Sequence, residues 1–506
     1  MTIPGPVVLV MIPVLLFSVL QLLRRWTALM AWFAAAASAF LGLFVALAPL
    51  DRAVAFQGVG IVLGQPLVIL GRAMAVEPVD RLPLAFIYLT AAGIFVIAWR
   101  LLPHSNFFPT GLMMVTLLAG ALMVEQVVYT ALLVEMAAVL AIFSLHEPSH
   151  GPRTVTPPDD SPAVTAPPAG GGEPEDVAVS APVVYGGRAK GGLRYLAYTT
   201  LALPGLVITQ LLLELFAIFP NDSGLLKSAT ILLALSFAIL LGAIPFQSWL
   251  STVAMDGSPP VVTFLFTVNL GAVWFMLLAY LESYNWLSAE PFFGPLATVL
   301  GLLMMVLGGA LAASQRRLGR LVGYATLVDN GAMFVALGTR EVTGLALTVM
   351  MLMARPLALG LMTIGLDGLR RLGDGDDSAQ SMEGGAWQAP WRAVAFIVGG
   401  VAMAGFPLSL GFAARWGLFR LMVVEDLFQA VMALTGSAGV MLGVIGAVRT
   451  LLTRAPQNRY ARFVEDRVVL VLILVLIVAT LGFGLVPQTV SHLALQMAQE
   501  FTFFAP

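Results

Sequence analysis

Four ionisable side chains stand inside long apolar runs, where a charge is costly. They are Glu135 in TALLVEMAAVLAIF, Asp329 in GYATLVDNGAMFVAL, Arg355 in VMMLMARPLALGLM and Arg415 in GFAARWGLF. At the centre of a membrane span, an ionised side chain costs about 3 kcal/mol or more unless it is paired or wetted. A buried carboxylate can hold a proton because desolvation raises its pKa, and an approaching cation can eject that proton. Two interpretations remain open, a proton relay and structural ion pairs between helices.

Two interruptions by glycine and proline lie deep in predicted spans. Gly242 and Pro245 belong to LGAIPF, and Gly405 and Pro407 belong to AGFPLSLGF. Broken helices at matching places in two halves of a chain are typical of inverted-repeat transporters and their ion paths. The freed carbonyls require protein or water partners, which favours a hydrated cavity. A simple proline kink is the alternative, but the repetition in both halves favours the transporter.

The elements that position these residues are membrane helices. The chain has 506 residues, of which 59% are hydrophobic and only 11% are charged. A soluble fold of this length could not cover so much apolar surface. Apolar runs of about 20 residues predict fourteen spans, near 5–23, 28–50, 82–102, 108–126, 128–146, 195–218, 226–249, 259–281, 291–314, 320–338, 341–366, 390–421, 427–450 and 468–496.

Composition also excludes several kinds of chemistry. The chain has no cysteine, so it offers no disulfide, no thiolate metal site and no thiolate ligand for an iron–sulfur cluster. Its net charge of -2 argues against a nucleic-acid partner, which requires a clustered basic face. No nucleotide-binding motif is present, and the four histidines have no zinc-motif spacing. We therefore expect no cofactor in this chain.

The distribution of arginine and lysine predicts the orientation. Most of these residues fall on alternate loops, which the positive-inside rule assigns to the cytoplasm, with both termini outside. The cytoplasmic loop 147–190 is rich in proline, glycine and acidic residues and is predicted to be disordered. The external segment 51–81 is β-branched and punctuated by glycine, and we expect a β-hairpin there.

Several motifs, in this order along the chain, resemble one known family. VEMAAVLAIFSL at 134–145 resembles the family's fifth span, and GGLRYL at 191–196 resembles the start of the sixth. IPFQSW at 244–249 and SPPV at 258–261 resemble the broken seventh span and the entry to the eighth. QRRLGRLVGYAT at 315–326 and AGFPLSLGFAAR at 404–415 resemble the tenth and the broken twelfth. The chain is thus similar to the antiporter-like membrane subunits of respiratory complex I (NADH:quinone oxidoreductase), of Mrp-type antiporters and of membrane-bound hydrogenases.

The resemblance implies an all-α membrane protein of about fourteen spans, with two inverted five-helix repeats broken near Pro245 and Pro407. It divides the chain into three N-terminal spans with the external segment (1–107), a first repeat (108–146 and 191–284, spans 4–8), the loop 147–190, a second repeat (291–454, spans 9–13) and a C-terminal span (455–506). Partners would be other membrane subunits and lipid, in an energy-transducing membrane such as the bacterial plasma membrane. Redox cofactors would reside only in partner subunits.

The chain departs from the family at the charged positions. Relatives carry the fifth-span glutamate, which is Glu135 here, and lysines in spans seven and eight. Those lysine positions correspond to Leu240 and to Asn269 or Leu270, and Asp329 stands where the tenth span has a histidine. Arg415 replaces the lysine of the twelfth span, and arginine cannot release its proton at accessible pH.

Three hypotheses follow from these departures. The chain is a proton-conducting subunit with a rerouted path, a non-conducting structural paralogue, or a stand-alone cation/proton antiporter. The candidate path residues are Glu135, Asn269, Asp329, Arg355 and Arg415.

Overall fold

A computed structural model describes residues 2–56, 59–69, 72–102, 105–145, 189–220, 222–284, 286–287, 290–373, 375–453 and 465–503. The helices are α1 (Gly5–Leu22), α2 (Thr27–Leu47), α3 (Arg81–Leu101), α4 (Phe107–Met123), α5 (Val127–Leu145), α6 (Ala189–Ile218), α7 (Ser223–Leu240), α8 (Ser248–Asp256), α9 (Pro259–Phe264), the π-helical segment Leu265–Asn269, α10 (Leu270–Ser283), α11 (Phe293–Ala313), α12 (Leu318–Gly338), α13 (Val342–Leu372), α14 (Gly385–Gln388), α15 (Pro390–Met403), α16 (Leu410–Glu425), α17 (Leu427–Leu452), α18 (Arg467–Leu485) and α19 (Gln488–Glu500).

The predicted all-α membrane fold is confirmed. Within the described ranges, twelve helices are long and apolar enough to cross a membrane. Two shorter apolar helices, α4 and α15, stand where two further spans are predicted. The chain is therefore a multi-pass membrane protein, and the count of fourteen stays a prediction.

Two predicted spans are divided at the glycine and proline interruptions found in the sequence, and some boundaries differ from the prediction. The segment 226–249 is split between α7 and α8, and 390–421 is split between α15 and α16. The last predicted span ends at Leu485, and the separate helix α19 follows it. The π-helical segment in the middle of span 259–281 was not predicted. The proposed disordered loop 147–190 lies outside the described residues, except that its last two residues belong to α6.

The segment 51–81 contains the β structure expected of it, as two strand pairs instead of one hairpin. β2 (Val54–Phe56) pairs antiparallel with β3 (Val59–Val62), and β4 (Leu67–Ile69) pairs antiparallel with β5 (Arg72–Met74). The N-terminal strand β1 (Thr2–Pro4) adds to β3 in parallel and completes a three-stranded sheet.

The buried centre of the molecule lies between the two predicted repeats. The continuous helix from α9 through the π segment to α10 is buried along its whole apolar window, and α12 is nearly so. α11 packs closely on both α12 and α17 through glycine. A Cβ atom on Gly331 would lie 2.7 Å from the carbonyl oxygen of Gly301, and one on Gly309 would lie 2.6 Å from that of Gly436. Small residues at these crossings let the helix backbones approach closely. This packing fixes the position of α12 and therefore that of Asp329 on it.

One polar cluster ties the two predicted repeats together at a helix end. Asp377 accepts a bond from the backbone N–H of Gly319 at 3.0 Å, at the start of α12, and pairs with Arg370 at 2.7 Å. Arg370 also donates to three carbonyl oxygens at the end of α8, those of Ala254, Met255 and Gly257. Helix ends leave such carbonyls without intrahelical partners. Arg370 therefore supplies hydrogen-bond donors to the last carbonyls of α8, and its ion pair with Asp377 holds the start of α12 in place.

Candidate functional site

The first helix break has a defined backbone geometry. α7 ends at Leu240, and Gly242 adopts φ +66°, which is a left-handed conformation suited to glycine. The N–H of Ala243 donates to the carbonyl of Ala238 at 2.7 Å, and the N–H of Gly242 donates to that of Ile239 at 3.1 Å. These two bonds form a Schellman motif. Pro245 then follows and cannot continue the helix.

The second break repeats this geometry. α15 ends at Met403, and Gly405 adopts φ +71°. Here Phe406 donates to the carbonyl of Val401 at 3.2 Å, and Gly405 donates to that of Ala402 at 3.1 Å. The helix resumes at Leu410, after Pro407. Both predicted breaks are therefore real interruptions with the same capping bonds, and neither is a simple proline kink.

Three of the predicted charged residues meet in one buried group. Oδ2 of Asp329, on α12, accepts a hydrogen bond from Nε of Arg355 at 2.8 Å. Its Oδ1 accepts one from Nη2 of Arg415 at 3.0 Å. Asp329, Arg355 and Arg415 are only 6%, 2% and 1% exposed. We call this group the charged triad. It holds two guanidinium groups and one carboxylate, so the sequence-based interpretation of structural ion pairing describes its geometry.

Asn330 joins the charged triad to the first break. Its side-chain amide donates to the carbonyl of Leu241 at 2.8 Å, and its oxygen accepts from Nη2 of Arg355 at 2.6 Å. Leu241 is the C-cap residue of α7, so its carbonyl is one of those freed by the break. Trp274 of α10 donates a further bond to the same Asn330 oxygen at 3.3 Å. A buried polar chain thus begins at the first break.

Arg415 joins the charged triad to the second break. A Cβ atom on Gly405 would overlap Cδ of Arg415, so the glycine supplies both the turn and the space for this side chain. Nη1 of Arg415 also donates to Ser437 of α17 at 2.7 Å. Beside the triad is a cavity of about 10 Å³, which is near the minimum for one water molecule. Its polar lining comes from Asp329, Arg355, Ser409, Arg415 and Thr480.

Glu135 and Asn269 form a second group. Thr200 donates to Oε1 of Glu135 at 2.5 Å, and the side-chain amide of Asn269 donates to the hydroxyl of Tyr195 at 3.0 Å. Across the described part of the chain, no hydrogen bond connects this group to the charged triad. The π segment touches both, because Asn269 ends it and the carbonyl of Phe266 accepts from Arg355 at 3.3 Å.

Sequence reasoning did not identify the neutral members of these groups. Asn330 immediately follows Asp329, and that adjacency is the one available signal. Tyr195, Thr200 and Ser437 are ordinary polar residues on apolar helices, and nothing in their spacing distinguishes them. The π-helical segment was not predicted either, since it lies inside the apolar run 259–281 and its sequence does not stand out there.

Comparison with known proteins agrees with this architecture. Residues 194–443 match the family described as NADH:quinone oxidoreductase/Mrp antiporter, TM. Subunit N of the NADH-quinone oxidoreductase of Methylococcus capsulatus is 28% identical over 232 residues, which are 44% of this chain and 45% of that protein. The chain spans about half the length of the curated relatives it matches.

Two solved structures show the same fold over nearly the whole chain. One is a chain of the membrane-bound sulfane sulfur reductase, an archaeal respiratory membrane complex, with a TM-score of 0.74, 12% identity, and coverage of 99% of this chain and 98% of that one. The other is a chain of respiratory complex I from Thermus thermophilus, with a TM-score of 0.67, 18% identity, and coverage of 96% and 98%. Residues 194–443 of this chain thus match the transmembrane family named for NADH:quinone oxidoreductase and Mrp antiporters, and the chain is similar to antiporter-like membrane subunits.

Proposed function

We propose that this chain is an antiporter-like membrane subunit of a complex-I-like, redox-driven complex that translocates protons, with an ion path that has diverged from that of its relatives. The observation that carries the proposal is the buried polar chain from Leu241 through Asn330 to the charged triad, which ends beside Gly405. Polar groups that join two broken helices inside the membrane are what an ion path at a repeat interface requires.

The two breaks also support two inverted repeats, at 108–146 with 191–284 and at 291–454. Each break places a left-handed glycine after an α-helix, closes it with the same pair of backbone bonds, and follows it with proline. Broken helices of the same form at matching places in two halves of a chain are what inverted repeats produce. We place the remaining segments, 1–107 and 455–506, outside the repeats.

Partners and location follow from the relatives. The two solved structures described above are chains of an archaeal respiratory membrane complex and of respiratory complex I. We therefore propose other membrane subunits and lipid as the partners of this chain, with redox cofactors only in those subunits. The membrane would be the bacterial plasma membrane, with both termini on its external side according to the distribution of arginine and lysine.

The charged triad has a fixed electrostatic role in this proposal. Arg355 and Arg415 cannot release their protons at accessible pH. Protonating Asp329 would leave both guanidinium groups buried without a counter-charge, and an uncompensated buried charge costs about 3–5 kcal/mol. The triad therefore keeps a constant charge beside the second break. Proton uptake falls to Glu135, which has no such partner in the described ranges.

A second function, a non-conducting structural paralogue, is favoured by one observation. No hydrogen bond in the described regions links the Glu135 group to the charged triad, so a proton taken up at Glu135 has no direct protein route to the second break. In this case, the chain would serve assembly of the complex and sealing of the membrane while other subunits move protons.

The first experiment is purification from native membranes in mild detergent, followed by mass spectrometry of the proteins that co-migrate. We expect cluster-bearing and other multi-span subunits to co-migrate. A chain that purifies alone and exchanges cations for protons in vesicles would overturn the subunit proposal and favour a stand-alone antiporter.

The second experiment distinguishes conduction from a structural role. Glu135→Gln removes the proton-accepting carboxylate with little change in shape, and Glu341→Gln is the control, since Glu341 is exposed and makes no capping bond at the start of α13. We expect Glu135→Gln alone to lower the number of protons moved per electron pair in vesicles that contain the complex. An unchanged ratio would support the structural paralogue.

A further inference from the structure

The charged triad carries an unbalanced positive charge. Arg355 and Arg415 each contribute one positive charge and Asp329 contributes one negative charge, which leaves a net charge of +1. Arginine stays protonated at accessible pH, so this charge persists. Across the described residues, no other carboxylate forms an ion pair with either arginine. Because an uncompensated charge is costly inside a membrane protein, the triad requires a further negative charge nearby.

Arg415 has hydrogen-bond donors without acceptors. A guanidinium group has five N–H donors, and this one makes two hydrogen bonds to described residues, from Nη1 to Ser437 at 2.7 Å and from Nη2 to Asp329 at 3.0 Å. The other three N–H groups, including that of Nε, have no acceptor in the described part of the chain. The side chain is only 1% exposed, so bulk water does not reach it freely. Buried donors that lack acceptors are costly, which indicates an acceptor that is not part of the protein.

The second break adds a helix N-terminus to the same place. α16 begins at Leu410, and the backbone N–H groups of Leu410 and Gly411, in its first turn, have no intrahelical acceptor. The N–H of Phe412 already donates to the side chain of Ser409 at 3.2 Å. Leu410 and Gly411 line the same cavity as Arg415. A helix N-terminus carries a partial positive charge that favours anions.

We propose that a small monovalent anion, chloride under cellular conditions, binds in the cavity beside the charged triad. The free N–H groups of Arg415 and the backbone N–H groups of Leu410 and Gly411 are its donors, and the net charge of the triad balances it. Asp329 also lines the cavity, but each of its oxygens accepts from an arginine.

The charge and the size of the cavity select the ligand. One negative charge balances the net charge of +1, whereas a divalent anion would overcompensate it. The cavity of about 10 Å³ has room for about one water-sized particle, so it suits a monoatomic anion better than phosphate, sulfate or a carboxylate. Binding here goes beyond the proposed function, because it requires neither electron transfer nor proton movement.

The test measures equilibrium binding of radioactive chloride to the purified full-length chain, together with the subunits that co-purify with it. Sodium gluconate keeps the ionic strength constant, because gluconate is too large for the cavity. We expect saturable binding of one chloride per chain at this site, displaced by bromide and not by gluconate.

Three variants change the charge of the triad. Arg415→Met removes one charge and the free donors, and should abolish this binding. Arg355→Met also makes the triad neutral but keeps Arg415, and should weaken binding at least about tenfold. Asp329→Asn raises the net charge to +2 and should strengthen binding at least about tenfold, because one unit charge at this distance is worth more than the factor of ten. A variant that merely loosened the fold would lose chloride and would not gain it.

Arg420→Met is the matched control. It removes the same charge from the same helix, at an exposed position that does not line the cavity, and should leave chloride binding unchanged. The inference is overturned if the wild-type protein binds no more chloride than Arg415→Met does, which would mean that only water occupies the cavity. It is also overturned if Arg355→Met binds chloride as the wild type does, or if Asn at position 329 weakens binding. The two neutral variants are independent, so one of them suffices if the other does not assemble, and no outcome depends on whether the complex pumps protons.

Discussion

Replacing Asp329 with asparagine tests the charged triad most directly. The change keeps the size of the side chain and removes the one carboxylate that pairs with Arg355 and Arg415 within the described part of the chain. The wild-type triad has a net charge of +1, from two guanidinium groups and one carboxylate, and Asp329→Asn raises it to +2. Both guanidinium groups remain buried, because Ser437 and Asn330 still hold them.

The expected loss of stability is large. Removing one partner of a buried ion pair costs about 3–5 kcal/mol, since the remaining charge is left uncompensated. Two unit charges about 4 Å apart at an effective dielectric constant of about 20 interact by about 4 kcal/mol, and Asp329 takes part in two contacts shorter than this, at 2.8 and 3.0 Å. We therefore expect a decrease of at least about 3 kcal/mol in the free energy of unfolding, and a midpoint of thermal unfolding that is lower by several degrees.

The assay is thermal unfolding of the detergent-purified protein, followed by tryptophan fluorescence, within a double-mutant cycle. Arg355→Met alone makes the triad neutral and should cost less than Asp329→Asn. The double variant restores a net charge of +1, and it should be more stable than the sum of the single effects predicts, by about 0.5–3 kcal/mol. Asp51→Asn, at an exposed position, is the control. Additive effects, or an Asp329→Asn midpoint equal to that of the control, would refute the electrostatic account of the triad.

The remaining predictions concern the two breaks. Gly405→Ala should lower the unfolding midpoint, because alanine is strained at φ +71° by about 1–2 kcal/mol and its Cβ would overlap Arg415. The control Gly446→Ala, where a Cβ would meet nothing within 4 Å, should be neutral or stabilising, and equal effects would contradict the packing argument. Asn330→Leu should cost about 1–3 kcal/mol, because it leaves a buried carbonyl at the first break without its donor. An unfolding curve identical to that of the wild type would show that water replaces Asn330 there.

The sequence by itself determined the class of the protein and the location of its irregular backbone. Membrane spans require long apolar runs, which are a local property of the chain, and the helix breaks require glycine and proline, which are also local. Gly242 and Gly405 mark the two interruptions in the sequence, and each has a positive φ. The same reasoning singled out Glu135, Asp329, Arg355 and Arg415, since a charge inside an apolar run is visible in the sequence.

Only the tertiary structure decided which of these charges meet. Asp329 and Arg415 are 86 residues apart, and their contact depends on how closely α11, α12 and α17 pack through glycine. The same packing brings Asn330 to the carbonyl of Leu241, 89 residues away. It leaves Glu135 in a separate group with neutral neighbours. Whether a charge inside a span meets an ion-pair partner depends on distances of a few ångströms between distant segments, and local composition carries no information about those distances.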